Sequence, residues 1–130
     1  MAKSKTLQIT EISDKTRQSV YQRQKGFSPF GNWLGESCDY HHVVNSGLGV
    51  KGVGWEWNII ALTRLEHQAI HNHKPIKVGS VDRYTYEEAI TLIKNHLKIN
   101  YPNWCEEKCK VHKGWKEEDY KIERRNKIWN

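Results

Sequence analysis

Positions 38 to 73 of this chain read CDYHHVVNSGLGVKGVGWEWNIIALTRLEHQAIHNH, and five of the seven histidines of the chain fall between positions 41 and 73. His67 and His71 are four residues apart in a segment whose spacing predicts a helix from Arg64 to His73, so their imidazoles would project from one face. His41 and His42 lie on a predicted strand and can supply a third metal ligand, with the other imidazole left for proton transfer. The stretch therefore predicts a metal-dependent catalytic site.

The elements around these histidines follow the order strand, loop, strand, helix. A β-prone run covers 40–44, four glycines at 47, 49, 52 and 54 indicate a flexible loop, and an apolar run over 58–63 predicts a second strand. In the following helix, Leu65, Ala69 and Ile70 are expected to face a core. A second helix is marked by the capping box of Thr85 and Glu88, and it is expected to end at Pro102.

The segment 38–73 resembles the HNH endonucleases, which share the ββα-metal (His-Me finger) fold. The separations are sixteen positions from His42 to Asn58, nine from Asn58 to His67 and four from His67 to His71. They are close to those of colicin-type HNH DNases. The segment 42–51, in which a histidine pair precedes a glycine-rich loop, is also similar to phage-type HNH nucleases, including those associated with recombination. The matches cover about a quarter of the chain. The matching residues are His41, His42, Asn58, His67 and His71.

The resemblance implies an α+β protein with a ββα-metal HNH core and added helical or irregular segments at both ends. At 130 residues the chain has the size of one domain. We expect a basic N-terminal arm over 1–35, the core over 36–75 and a helical C-terminal extension over 76–130.

The resemblance also implies a role for each residue of the pattern. His41, His67 and His71 would hold one divalent cation, which could be Mg, Mn, Ni or Zn. His42 would be the general base that takes a proton from the attacking water. Asn58 would orient His42 rather than touch the substrate. The expected activity is therefore hydrolysis of DNA phosphodiester bonds with a single metal ion.

Two alternative metal ligands stay open at this point. His73 could take the place of His71, and Asp39 could replace His41, because Asp39 and His41 share one side of a strand.

The three cysteines allow a second, structural zinc site. Cys105, Cys109 and His112 have spacings that zinc sites tolerate, and Cys38 could complete a Cys3His set. The competing interpretation is that these thiols are small buried apolar groups.

The net charge of +6 and the pI near 9.2 favour a polyanionic partner such as DNA. Residues 1–30 hold six Lys or Arg against two acids, whereas residues 31–84 hold five of each, so the surplus lies outside the histidine-rich centre. For each cation, solvated surface charge is the equally good alternative to phosphate contact. The candidate DNA contacts are Arg17, Arg23, Lys25, Lys51, Arg124 and Arg125, with Lys127 beside them.

Several classes of protein are disfavoured by composition. No apolar run approaches the roughly 20 residues that span a bilayer, and positions 1–6 lack an apolar signal segment. An odd number of cysteines does not suit a secreted disulfide framework. We expect a soluble cytoplasmic protein, in a bacterial host cell if it is encoded by a phage, with no membrane partner.

Two functional hypotheses compete with an independent endonuclease. One is a non-catalytic, zinc-stabilised nucleic-acid-binding module. The other is an accessory nuclease that works only with a partner, such as a phage terminase or a recombinase. The leading interpretation is an HNH endonuclease in phage DNA processing, recombination or packaging.

Overall fold

The computed structural model describes residues 9–44 and 51–122. Within these ranges the chain forms a small mixed α+β domain with three α-helices and two antiparallel two-stranded sheets. The predicted contacts Arg124 and Arg125, with Lys127, and the 45–50 part of the glycine loop lie outside the described residues. The helices are α1 (Asp14–Arg23), α2 (Arg64–His71) and α3 (Tyr86–Asn100), and the strands are β1 (Asp39–His42), β2 (Ile59–Leu62), β3 (Ile76–Val78) and β4 (Val81–Tyr84).

The strand β2 is the centre of the core. It pairs with β1 in an antiparallel register that places His41 opposite Ile60 and His42 opposite Ile59. All four β2 residues are buried because both faces are covered. Ile59 and Ala61 pack with residues of α1 and the segment after it, whereas Ile60 and Leu62 pack with residues of α2, β3 and α3.

The helix α2 begins directly after β2. Thr63 caps it by accepting from the backbone N–H of Glu66, whose carboxylate accepts from Thr63 N–H in return. The helix ends at His71, two residues before the predicted end. His73 N–H donates to Ile70 O, and Lys74 N–H donates to Ala69 O, which is the paired bonding of a Schellman C-terminus.

The capping box of Thr85 and Glu88 is confirmed at the start of α3, which ends just before Tyr101. In α2, Ile70 is buried as expected, but Leu65 is 78% exposed, so its predicted place in the core was wrong. In the first turn of α2 the buried side is occupied by Glu66, which caps the helix, so Leu65 lies on the outer side.

The described part of the predicted N-terminal arm is packed into the domain. Val20 of α1 is buried against β2. The side-chain amide of Gln24 pairs with the outer edge of β2, since Nε2 donates to Ala61 O at 2.9 Å and Oε1 accepts from Ala61 N–H at 2.8 Å. The amide satisfies backbone groups that a third strand would otherwise pair with.

The predicted helical extension begins instead with the antiparallel pair of β3 and β4. It then contains one long helix, α3, and short 3₁₀ turns over 106–109 and 117–120 in the described residues. These turns pack on the segment before β2. Trp57 Nε1 donates to Lys108 O, and Trp104 Nε1 donates to Trp57 O. None of the helices in the described ranges is long and apolar enough to cross a membrane.

Candidate active site

Strand β1 and helix α2 bring three of the predicted site residues together. Asp39 and His41 alternate along β1 and point to the side on which α2 lies. The rings of His41 and His67 meet edge to face, with centroids 5.0 Å apart and an interplanar angle of 61°. His67 Nδ1 lies 3.0 Å from Asp39 Oδ2. Asp39 and His41 therefore both contact the imidazole of His67.

The contact with Asp39 sets the orientation of His67. An ionised carboxylate only accepts hydrogen bonds, so Nδ1 of His67 carries the proton and Nε2 of the neutral ring keeps its lone pair. The other oxygen of Asp39 lies 3.6 Å from Nη2 of Arg64. Asp39 therefore has one oxygen on the ring of His67 and the other near an exposed guanidinium.

The surroundings of His41 disfavour a positive charge on its ring. Burial lowers the pKa of His41 to about 4, and repulsion from His67, His42 and His71 lowers it in the same direction. His41 is therefore neutral at pH 7, which is the form of imidazole that binds metal ions.

The ring of the predicted general base, His42, contacts the segment that precedes α1. Its Nε2 lies 2.7 Å from the carbonyl oxygen of Thr10, and because a carbonyl only accepts, Nε2 carries the proton. In the neutral ring Nδ1 is then the atom that can take a proton. Gly54 allows this contact, since its N–H donates to Ile9 O at 2.7 Å and a Cβ at this position would lie 2.0 Å from Glu11 O.

Asn58 is fully buried and bridges the two sides of the glycine loop. Its Oδ1 accepts from Val44 N–H at 2.8 Å, and its Nδ2 donates to Val44 O at 3.1 Å and to Val53 O at 2.9 Å. Gly52 makes room for this bridge, because a Cβ there would lie 1.7 Å from Val44 O. These contacts fix the chain two residues after His42, which is the kind of positional role that the resemblance implies for Asn58.

The predicted metal ligand His71 and its alternative His73 take no part in the contacts among Asp39, His41 and His67. His71 is exposed at the end of α2. His73 has a positive φ of 54° and stacks on Tyr86, with ring centroids 4.0 Å apart, so it faces the start of α3. Across residues 9–44 and 51–122, no three or more His, Cys, Asp or Glu side chains are grouped closely enough to hold a metal ion as they stand.

The structure does not assemble the predicted structural zinc site. Cys38 packs near α1 and β2, whereas Cys109 belongs to the separate cluster around Trp57. Burial raises the pKa of the Cys109 thiol to about 12, and its Sγ lies 3.7 Å from both Trp57 O and Cys105 O. His112 is directed to Glu107 instead. These contacts agree with the competing interpretation, in which Cys109 is a buried apolar group.

Arg23, a predicted phosphate contact, makes internal contacts instead of presenting its guanidinium to solvent. Its guanidinium donates to Glu56 O and Ile59 O, both at 2.7 Å, and to His96 Nε2 at 3.0 Å. It also lies over the ring of Tyr101. Arg23 thus ties α1 to β2 and α3.

The other predicted DNA contacts within the described ranges are surface residues. Lys25 and Lys51 are exposed. Arg17 lies beside the site, with its guanidinium 5.8 Å from the centroid of the Tyr40 ring.

Sequence reasoning missed three residues that support the site. Thr10 O contacts the ring of His42 at 2.7 Å, Arg64 lies 3.6 Å from Asp39, and neither contact has a sequence signal. Glu66 is buried and accepts from Ser28 Oγ at 2.6 Å and Asn32 Nδ2 at 2.8 Å, which fixes the segment after α1 to α2. The spacing of Thr63 and Glu66 is that of a capping box and could have identified Glu66.

Comparisons of this chain with protein-family models, with curated proteins and with solved structures each found no match. The likeness to HNH endonucleases therefore rests on the residues of the segment 38–73 alone.

Proposed function

We propose that this protein is a metal-dependent HNH endonuclease with a ββα-metal core, which hydrolyses DNA phosphodiester bonds. The observation that carries the proposal is the arrangement of two imidazoles on one strand–strand–helix unit. His67 is oriented by Asp39 beside His41, and His42 is oriented by Thr10 O. Each of the two orienting contacts leaves one specified ring nitrogen for chemistry.

The donor chemistry of the site fits a divalent cation. His41 is neutral at pH 7, and His67 has its tautomer set by a carboxylate, as is usual for histidines that bind metal. His71 is one helical turn beyond His67 on α2. We propose that His41, His67 and His71 hold the ion, which is Mg, Mn, Ni or Zn. When bound, a divalent ion stabilises the negative charge that builds on a phosphodiester as it breaks.

His42 is proposed as the general base. Its Nδ1 would take the proton of the attacking water, while Nε2 stays bonded to Thr10 O. Asn58 acts through His42, because it fixes the backbone at Val44 and thereby the end of β1. Loss of Asn58 would misplace the base rather than remove a group that touches DNA.

Incubation of supercoiled plasmid with the full chain and each of the four ions tests the proposal. We expect nicking or cutting with at least one ion, and we expect His42→Ala to abolish it. His73→Ala is the matched control, because His73 is an exposed histidine outside the arrangement. A folded protein that cleaves with none of the ions would contradict the proposal.

The setting suggested by the resemblance is phage DNA processing, recombination or packaging in the cytoplasm of a bacterial host. A terminase or recombinase partner belongs to that suggestion. The alternative of a zinc-stabilised binding module has less support, because two of its four proposed ligands, Cys38 and Cys109, pack in different clusters.

A further inference from the structure

Arg64 is a cation beside the candidate active site that is assigned neither to metal binding nor to proton transfer. It is the first residue of α2, and His67 and His71 follow it three and seven positions further on. Residues at these spacings share one face of a helix. Arg64 is therefore on the same face of α2 as two of the proposed metal ligands.

Asp39 connects the guanidinium of Arg64 to the imidazole of His67. One oxygen of this carboxylate lies 3.0 Å from Nδ1 of His67, and the other lies 3.6 Å from Nη2 of Arg64. The three side chains form one connected cluster, with the carboxylate between the two nitrogen-containing groups. Arg64 thus joins the candidate site through the same residue that contacts His67.

The contact with Asp39 leaves the guanidinium accessible to another anion. The side chain of Arg64 is 69% exposed, and the separation of 3.6 Å is longer than the roughly 2.7–2.9 Å of a charge-assisted hydrogen bond. An ion pair this exposed contributes little to stability. A second anion can therefore bind the planar fork of N–H donors without the loss of a strong bond.

The other arginines in the described ranges are placed differently. Arg23 donates to backbone carbonyls inside the domain. Arg17 pairs with Asp14 on its own helix, and Arg83 lies over a tyrosine ring. Among these arginines, Arg64 is the one whose ion-pair partner also contacts a proposed metal ligand.

The charge balance of the cluster favours a site that holds an ion and an anion together. Asp39 alone would attract a divalent ion on His67, and the guanidinium of Arg64 weakens that attraction. The arginine is therefore unfavourable for the ion by itself. A phosphodiester bound to the ion reverses this balance, because its negative charge is attracted by the ion and by the guanidinium.

The space next to His67 has room for such an anion. An open hollow of about 560 Å³ is lined in part by His67 and Asp39. Arg64 is outside that lining, but its guanidinium lies 3.6 Å from Asp39, which borders the hollow. Because an exposed arginine changes rotamer freely, its guanidinium can approach an anion bound there.

We propose that Arg64 is a catalytic residue whose guanidinium binds a nonbridging oxygen of the reacting phosphate, and that Asp39 holds it beside the site before the substrate binds. This inference rests on the proposed function and adds a substrate contact to its site. A guanidinium matches the oxygens of a phosphate and is always charged. Its charge stabilises the negative charge that builds on these oxygens during hydrolysis.

A binding measurement that needs no cleavage tests the contact. The full chain carries His42→Ala, is loaded with Mn²⁺ and is mixed with dimethyl phosphate, which is a small and stable phosphodiester. Bound Mn²⁺ speeds the magnetic relaxation of a phosphorus nucleus that lies close to it. We expect Arg64→Gln to raise the diester concentration that gives half of this effect by at least about fivefold.

Arg83→Gln is the matched control, because Arg83 is another exposed arginine and lies on β4. It should change that concentration by less than about twofold, as expected for a surface substitution. Equal binding of the diester by the parent chain and Arg64→Gln would overturn the proposal, and so would the absence of any effect in the parent chain.

Metal affinity separates a substrate contact from a structural role. If Arg64 only held Asp39 against His67, Arg64→Gln would weaken metal binding by about 10–100-fold, as Asp39→Asn should. Removal of a positive charge should instead leave the affinity for Mn²⁺ within about twofold of the wild type, or make it tighter. Calorimetry measures this difference, and a loss of tenfold or more would overturn the proposal.

Plasmid cleavage then tests the catalytic role. Arg64→Gln should lower kcat by about 10–100-fold, because it removes a donor to the reacting phosphate. Arg64→Lys should recover part of the rate, since it keeps the charge but lacks the planar fork. A rise in KM with no fall in kcat would overturn the role, because it would show that Arg64 attracts DNA only as a surface charge.

The outcomes separate this inference from the proposed function. If the diester binds through Arg64 but the wild-type chain cuts no DNA with any of the ions, the phosphate contact stands and the nuclease proposal fails. If the wild-type chain cuts DNA and Arg64→Gln binds the diester and cuts as the wild type does, the nuclease proposal stands and the role of Arg64 fails.

Discussion

Replacement of Asn58 by alanine tests the buried bridge that positions His42. The side chain has no exposed surface and makes three hydrogen bonds to the backbone of Val44 and Val53. Alanine leaves one N–H and two carbonyl groups without these partners, and each buried group left unpaired costs about 1–3 kcal/mol. Partial entry of water reduces the sum, so we expect the free energy of unfolding to fall by about 3–5 kcal/mol.

Urea denaturation followed by tryptophan fluorescence measures this change. Asn95→Ala is the matched control, because Asn95 is exposed on α3, and it should change the free energy of unfolding by less than about 0.5 kcal/mol. A domain of this size is stable by about 5–15 kcal/mol, so the Asn58 variant should retain a folded state for assay. A loss of less than about 1 kcal/mol for Asn58→Ala would refute the reasoning.

Three further predictions concern separate contacts. The pKa of His96 is lowered to about 4 by burial and by Arg23, so its contribution is complete above pH 6.5 and up to about 3 kcal/mol of stability is lost as the pH falls from 6.5 to 4. In urea titrations over this range His96→Gln should show a shallower loss than the wild type, and parallel curves would refute this. Asp39→Asn should weaken metal binding in calorimetry by about 10–100-fold through loss of the charged partner of His67, and unchanged affinity would argue against an orienting role. Gly54→Ala should displace the backbone around Glu11 and lower the rate of plasmid cleavage by more than its change in melting temperature explains. Full activity would contradict the proposal that Thr10 O orients His42.

The parts of the fold that local sequence specifies were predictable. The capping box of Thr85 and Glu88 needs only residues three positions apart, and it is present at the start of α3. The α+β class, which the resemblance implied, agrees with the structure. The His67–His71 spacing placed both side chains on one helix for the same reason.

The end of α2 was mispredicted because histidine rarely takes the left-handed conformation in which glycine usually ends a helix. His73 adopts φ of 54° there, so the side-chain pattern continued while the helix stopped. Leu65 was misassigned since the periodic pattern does not say which side of the first turn is covered.

Contacts that depend on distant carbonyl groups had no sequence signal. Arg23 looked like other surface cations, and its partners are carbonyls of the segment before β2 and of β2 itself. Thr10 O is likewise a backbone acceptor, so its hold on His42 could not be read from residue types. For the cysteines, the spacing allowed zinc, but packing placed Cys38 and Cys109 in different clusters.

The central claim is that His42 acts on the proton of water while His67 holds the metal ion. The most direct test is parallel measurement of plasmid cleavage and metal affinity for the wild type, His42→Ala and His67→Ala. We predict that His42→Ala loses cleavage and keeps its metal affinity, and that His67→Ala loses both. Cleavage by His42→Ala at the wild-type rate, or equal loss of metal affinity in both variants, would contradict the claim.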